Sequence, residues 1–306
     1  MTAPARRDNV PLGIGFMVVA TALFAVSNAI AKWEVALYPT GEVLFFRSVS
    51  TFVVVAAFLL PMRGFGVFAT SRPRDHLARG LSQSISQSLT VLALSLLPLA
   101  AATAISFSAP LFAACVAIIF LGEKVSAERW AVLILGFVGV LVVARPDPNM
   151  PLLGAAFALG NAVMYGSVTV AVRGMSKTES AQTLLVWQTA TVAFFHTCLL
   201  TFGFVAPAPV DFALLVGCGA ANAAAQYCWT RALVEAPTSA VSPFYYLLLV
   251  WSMAIGYLAW GDVPTPALLA GSAIIVVSGL LLLWRESRPR PAASQAAVRP
   301  ADEATR

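Results

Sequence analysis

Continuously apolar stretches of about twenty residues, parted by short polar or proline-rich breaks, follow one another along almost the whole chain. That is the length an α-helix needs to cross the hydrocarbon core of a bilayer, about 30 Å. Only helices and closed barrels satisfy every backbone N–H and C=O where water is absent. Barrel strands alternate apolar and polar residues, and these runs do not. Composition agrees: 59% of the 306 residues are hydrophobic and 11% are charged, against about a quarter charged in a soluble domain. A water-soluble globular protein and a disordered chain are both excluded. The net charge of +5 calls for no nucleic-acid partner, because the basic residues sit mainly outside the apolar runs.

The pattern predicts an all-α integral membrane protein with ten spans, at 12–32, 42–61, 77–97, 99–121, 129–145, 152–173, 183–204, 212–233, 238–260 and 266–284. Turn and charge clusters mark the breaks, among them Pro39–Thr40–Gly41, Arg63 through Arg79, Gly122–Glu123–Lys124, Pro146–Asp147–Pro148–Asn149 and Asp262–Val263–Pro264. Arg6 and Arg7 before the first run suggest a signal peptide, but the run is too long for one and reads as an uncleaved span. With ten spans both termini share a side, and that side carries every Lys and Arg except Lys32, Arg145 and the mid-span Arg47. The positive-inside rule puts it in the cytoplasm. The tail over 286–306, rich in Pro, Ala and charge, is expected to be disordered. Cys115, Cys198, Cys218 and Cys228 lie in apolar runs without a CxxC pair, which argues for neither a metal site nor disulfides.

The two halves resemble each other. A shift of 139 residues carries Gly80, Gln83, Gln87, Pro98, Thr103 and Phe107 onto Gly219, Asn222, Gln226, Pro237, Ser242 and Tyr246. A shift of 141 carries Gly13, Phe16, Phe24 and Lys32 onto Gly154, Phe157, Tyr165 and Arg173. The repeat divides the chain into a half over 1–149 and a half over 150–285. Five spans is an odd number, so the second half enters the membrane from the opposite side. Such inverted repeats recur in transporters, with the site at the interface of the halves near the midplane. Alternating access is therefore expected before any substrate is.

Ten spans in two five-span repeats, cytoplasmic ends and the segment SAPLFAACVAIIFLGEKVSAERWAVLILGFVGVLVVARP resemble the EamA branch of the drug/metabolite transporter superfamily. The resemblance covers roughly 10–285 and is greatest to the YddG-type amino-acid exporters. It implies a metabolite exporter of the bacterial inner membrane and does not name the metabolite.

Polar groups are costly in lipid, so those within spans should face a cavity or a neighbouring helix. Gln83, Gln87 and Thr90 share one face of the third span, and Asn222 and Gln226 stand at the equivalent places of the eighth. Uncharged amides from both halves could hold a zwitterion, or could bond helix to helix. Asn161 and Tyr165 of the sixth span, Phe107 of the fourth, Tyr246 of the ninth and Trp187 of the seventh would suit an apolar or aromatic side chain. They could equally be plain packing. Arg47 reads two ways, as a structural partner of Glu42 or as an attractor for a substrate carboxylate. Pro110 and Pro243 break their helices and are candidate hinges, or static kinks. Gly154, Ala158, Ala162 and Gly166 read as helix packing. His196 reads as packing and His76 as solvated in an Arg-rich loop. Trp33, Trp130, Trp260 and Trp284 fit an interfacial belt.

No GxxxxGK[ST] loop is present, which argues against ATP-driven pumping. No HExxH, no catalytic residue and no cofactor are expected. Glu42, Glu123, Asp211 and Asp262 lie near span ends, and no buried acid stands out as an ion carrier. Facilitated export of neutral, apolar or aromatic amino acids is the expectation, with small-molecule substrate and lipid as partners. A proton-coupled drug or metabolite antiporter and a membrane-embedded lipid-modifying enzyme are the alternatives. Oligomeric state is left open, and a monomer suffices.

Overall fold

A computed structural model of the chain describes residues 9–121, 127–143, 151–175, 178–236 and 238–286. Its α-helices are α1 (Val10–Glu34), α2 (Thr40–Arg63), α3 (Pro73–Leu96), α4 (Leu99–Ser106), α5 (Ala109–Leu121), α6 (Ala127–Val143), α7 (Leu152–Met175), α8 (Ala181–Cys198), α9 (Pro209–Glu235), α10 (Thr238–Val241), α11 (Leu247–Trp260) and α12 (Pro266–Glu286). Short 3₁₀ turns over Gly64–Phe68, Leu199–Phe202 and Ser242–Tyr246 extend α2, extend α8 and join α10 to α11. Taking α4–α5 and α10–α11 each as one broken span, the described helices make ten, close to the expected bounds. Five are long and apolar enough to cross a membrane by that measure alone, while α3 and α9 are diluted by their own polar faces. Glu286, placed in the tail by the sequence, ends α12. The rest of that tail, the Arg6–Arg7 pair and the turns at Gly122–Lys124 and Pro146–Asn149 lie outside the described residues.

Local chemistry sets the helix ends. Asn9 accepts the Leu12 N–H at 3.2 Å and Ser180 accepts that of Thr183 at 3.1 Å, each satisfying a donor in the first turn. Prolines occupy the first turns of α1, α3 and α9, where no N–H is required. α3 and α9 both stop where the chain turns extended, at Leu97 (φ −116°, ψ 155°) and Ala236 (φ −146°, ψ 155°). Each precedes a proline, whose ring disfavours helix in the residue before it.

The halves exchange partners in packing. α1 runs along α9 as α3 runs along α7, α2 packs on α9 as α3 packs on α8, and α6 pairs with α12. Repeat-equivalent glycines stand at these crossings. A Cβ on Gly13 would meet Ala236 Cβ at 2.6 Å, and one on Gly154 would meet Leu97 Cγ at 2.7 Å. One on Gly219 would meet the Arg47 carbonyl oxygen at 2.6 Å, and one on Gly80 would overlap Thr191. Gly139 and Gly271 face each other across α6 and α12. Ala158 and Ala162 are fully buried on α7, in line with a packing role. The main core gathers Leu94, Leu97, Leu99, Ile105, Val140 and Leu249, from α3, α4, α6 and α11 and the residue after α3. Large apolar side chains such as Val53, Phe58, Ile134, Phe194, Val250 and Leu258 stay exposed, as lipid-facing surfaces do.

Candidate functional site

α2, α3, α8 and α9 close around a narrow polar cleft with room for about one water molecule. Ser48 and Thr51 come from α2, Gln87 from α3, Gln188, Thr189 and Val192 from α8, and Asn222 and Gln226 from α9. The contributing helices are repeat mates, α2 with α8 and α3 with α9, so each half supplies two helices to the wall. The Asn222 amide is held in place. Asn222 Nδ2 donates to Thr51 Oγ1 at 3.2 Å, and that hydroxyl lies 2.7 Å from the Arg47 carbonyl and 3.0 Å from that of Gly219. A wall of amides and hydroxyls can bond the ammonium and carboxylate of a small polar solute without contributing charge.

Gln87, Asn222 and Gln226 stand in this cleft as their spacing suggested. Gln83 is buried one turn away along α3 and does not line it. The Thr90 hydroxyl donates to the Ser86 carbonyl of its own helix at 3.0 Å. Asn161 ties three helices, accepting from Ser86 Oγ at 2.6 Å and donating to Ser106 Oγ at 3.0 Å.

The aromatic residues gather apart from the cleft, at the breaks in the fourth and ninth spans. Phe107 stands 5.7 Å from Tyr245 edge-on and 5.0 Å from Tyr246, and Tyr165 adjoins Tyr245. Tyr165 is 41% exposed despite its place within the bundle. Pro110 lies in the first turn of α5, after the break at Phe107–Ser108, and Pro243 lies in the 3₁₀ turn Ser242–Tyr246. Both breaks are therefore present at equivalent places in the two halves.

Call the end where α1 begins proximal and the end where it finishes distal. Each is latched between the halves. Distally, Tyr38 donates to Asp211 Oδ2 at 2.6 Å and accepts the Ala208 N–H at 3.2 Å, while Glu42 Oε2 accepts the Val205 N–H at 2.9 Å. The bond to Asp211 pushes the Tyr38 phenol pKa up. Proximally, Thr70 donates to Glu179 Oε1 at 2.7 Å, and the Trp187 indole donates to the Phe68 carbonyl at 3.0 Å while stacking on His76 at 5.2 Å. Trp187 is thus part of the proximal latch and not of the cleft.

Three readings from the sequence change. His76 is fully buried rather than solvated, because Trp187 and the chain around Glu179 cover it. Arg47 does not pair with Glu42. Five residues apart on a helix the two point to different faces, so Glu42 turns to Val205 and Arg47 donates to Asn28 Oδ1 at 3.0 Å. Buried acids do exist: Glu34 and Glu42 are fully buried, and both Glu34 carboxylate oxygens lack a hydrogen-bond partner among the described residues. His196 is buried, its Nε2 3.3 Å from the Ser84 carbonyl, in keeping with packing. Sequence reasoning missed Ser48, Thr51 and Thr189, although Arg47–Ser48, Ser50–Thr51 and Gln188–Thr189 already mark polar steps within their apolar runs. It also took Arg79 for a loop residue. Its signal was there, since Arg79 lies one turn before Gln83 on the polar stripe of α3.

Comparison with known proteins is consistent with this geometry. The profile described as the EamA-like transporter family matches twice, over residues 11–145 and 152–284. An S-adenosylmethionine uptake transporter of Rickettsia conorii is 26% identical over 90% of this chain and 94% of its own. A riboflavin transporter of Rhizobium johnstonii is 27% identical over 90% and 92%. A pseudopaline exporter of Pseudomonas aeruginosa is 28% identical over 90% and 97%. A solved crystal structure with 20% identity, covering 90% of this chain and 99% of that one, superposes with a TM-score of 0.63 and shares the fold.

Proposed function

Since the chain belongs to the EamA-like transporter family, we propose that this multi-pass membrane protein carries small amino-acid-type metabolites out of the cell by alternating access. The relatives are transporters by name, so a lipid-modifying enzyme is set aside. Their names span uptake and export, and S-adenosylmethionine brings an amino-acid head group where riboflavin does not. The greatest specificity therefore rests on the site. The observation that carries the reading is a polar cleft walled by two helices from each half, with a latch between the halves at each end. The charge asymmetry supports a cytoplasmic proximal end. The two halves, 1–149 and 150–285, move against each other about the breaks near Pro110 and Pro243. The solute's head group meets Gln87, Asn222 and Gln226, and Phe107, Tyr165 and Tyr246 take its side chain only once the halves move and the cleft widens toward them.

Uptake of labelled Phe, Met and Thr into liposomes holding the full chain, with and without a pH gradient, tests this. Saturable counterflow is expected, and Gln87→Ala and Tyr246→Ala should each impair it. Unchanged kinetics in both variants would remove the site assignment. Facilitated diffusion predicts no response to the gradient. Proton-coupled exchange is the second reading, favoured by the unpartnered buried carboxylate of Glu34, and uptake driven by the gradient would establish it.

A further inference from the structure

Two arginines bracket the cleft, and neither forms an ion pair among the described residues. Arg47, one turn from Thr51 on α2, is 6% exposed. Its Nη2 bonds Asn28 Oδ1 at 3.0 Å, and its Nε and Nη1 are buried without an acceptor. Arg79, on the stripe that continues into Gln83 and Gln87, is 3% exposed. Its Nη1 bonds the Oε1 of Gln188, a residue of the cleft wall, at 3.0 Å, its Nη2 bonds the Leu184 carbonyl at 2.6 Å, and its Nε has no acceptor. Each end of the cleft thus shows the same device, a buried guanidinium steadied by a neutral amide. Arg47 and Gln188 are themselves repeat mates at the shift of 141. A buried guanidinium without a counter-ion is strongly unfavourable, and its planar fork suits a carboxylate. The groups about Arg47 from the packed helices are Asn28 of α1, His196 of α8 and Cys218 of α9, and the buried Glu34 of α1 acts on the same Cys218 thiol without forming an ion pair with Arg47. Its helix neighbour Glu42 is already engaged by Val205.

We propose that the solute must carry a carboxylate, and that Arg47 and Arg79 bind that group at the distal and proximal ends of the cleft. This rests on the cleft being the transport site. The carboxylate supplies the acceptors the two guanidiniums lack, and the amides between them read the remainder of the head group. A solute with an amine but no acid satisfies neither guanidinium and is repelled by both, so the acid-bearing solute is preferred.

Thermal unfolding of the purified full chain in detergent tests this with four probes: 3-phenylpropionate, 3-phenylpropionamide, phenethylamine and inorganic phosphate. The acid is expected to raise the midpoint and to bind at least about tenfold more tightly than the amide or the amine. Arg47→Gln and Arg79→Gln should abolish the shift. Arg47→Lys should retain part of it, and Arg63→Gln, at the exposed end of α2, all of it. Where a glutamine variant does not fold, the comparison of acid with amide on the unaltered protein decides. An equal shift with the amide, a shift with phosphate and none with the acid, or an undiminished shift in both glutamine variants overturns the proposal. In liposomes, saturable counterflow of labelled phenylalanine that the amide inhibits as well as the acid overturns the anion subsites and leaves the carrier reading standing.

Discussion

Glu34 shows how much a single side chain can hide at the end of an apolar run. Hydropathy ends the first span at Lys32 and leaves Glu34 beyond it, yet Glu34 closes α1 and is fully buried, with both carboxylate oxygens unpartnered among the described residues. Removing a buried polar group that makes no bond should stabilise the fold. Glu34→Met is expected to gain about 1–3 kcal/mol in reversible unfolding, provided the cavity accepts its volume. A loss of that size would show that the carboxylate serves the folded state. Glycines give a sharper pair. Gly219→Ala sets a Cβ 2.5 Å from Ser50 Cβ and 2.6 Å from the Arg47 carbonyl oxygen, so it should cost about 1–3 kcal/mol. Gly217→Ala, two residues earlier on α9 with nothing within 4 Å, should be neutral or stabilising by up to about 1 kcal/mol. Equal effects from the two substitutions would mean that the α2–α9 approach does not depend on Gly219. At this scale the sequence told polar from apolar well. It did not tell which polar groups near span ends turn inward, because Arg79, His76 and Glu34 are buried by partners far away in the chain.

Elements were more legible than residues. The ends of α3 and α9 could be read from Pro98 and Pro237, and the stripe bearing Gln87, with its mate bearing Asn222 and Gln226, could be read from helical spacing. Both patterns are local and act within one helix. The contributions of α2 and α8 were less legible: Thr51 and Thr189 stand beside other polar residues, but each hydroxyl can bond a carbonyl of its own helix and gains its wider setting only when the helices meet. The breaks in the fourth and ninth spans were expected from Pro110 and Pro243, and their lining was not. Gly279 of α12 leaves room for the Tyr246 ring, whose hydroxyl would overlap any added Cβ. Gly279→Ala should therefore displace Tyr246 from Phe107 and slow transport several-fold while expression and monodispersity are retained. Transport at the normal rate would show that the aromatic cluster is packing and takes no part in the cycle.

For the whole molecule, the decisive feature is that both latches are closed at once around a narrow cleft. Opening one end must break one set of bonds and spare the other, so weakening either latch should bias the populations in opposite directions. Cys218 reports on the distal end: it is fully buried, bonded to Ser27, and lies two turns into α9 from Asp211. In a chain keeping Cys218 with Cys115, Cys198 and Cys228 changed to Ser, a membrane-impermeant maleimide added on the distal side should label slowly. Tyr38→Phe removes the bonds to Asp211 and Ala208 and should speed that labelling. Thr70→Val, which removes the bond to Glu179 at the other end, should slow it. The opposite signs are the content of the prediction, since a general loosening of the bundle would speed labelling in both variants. If both rise together, the two latches are independent fastenings, and the halves do not exchange one opening for the other.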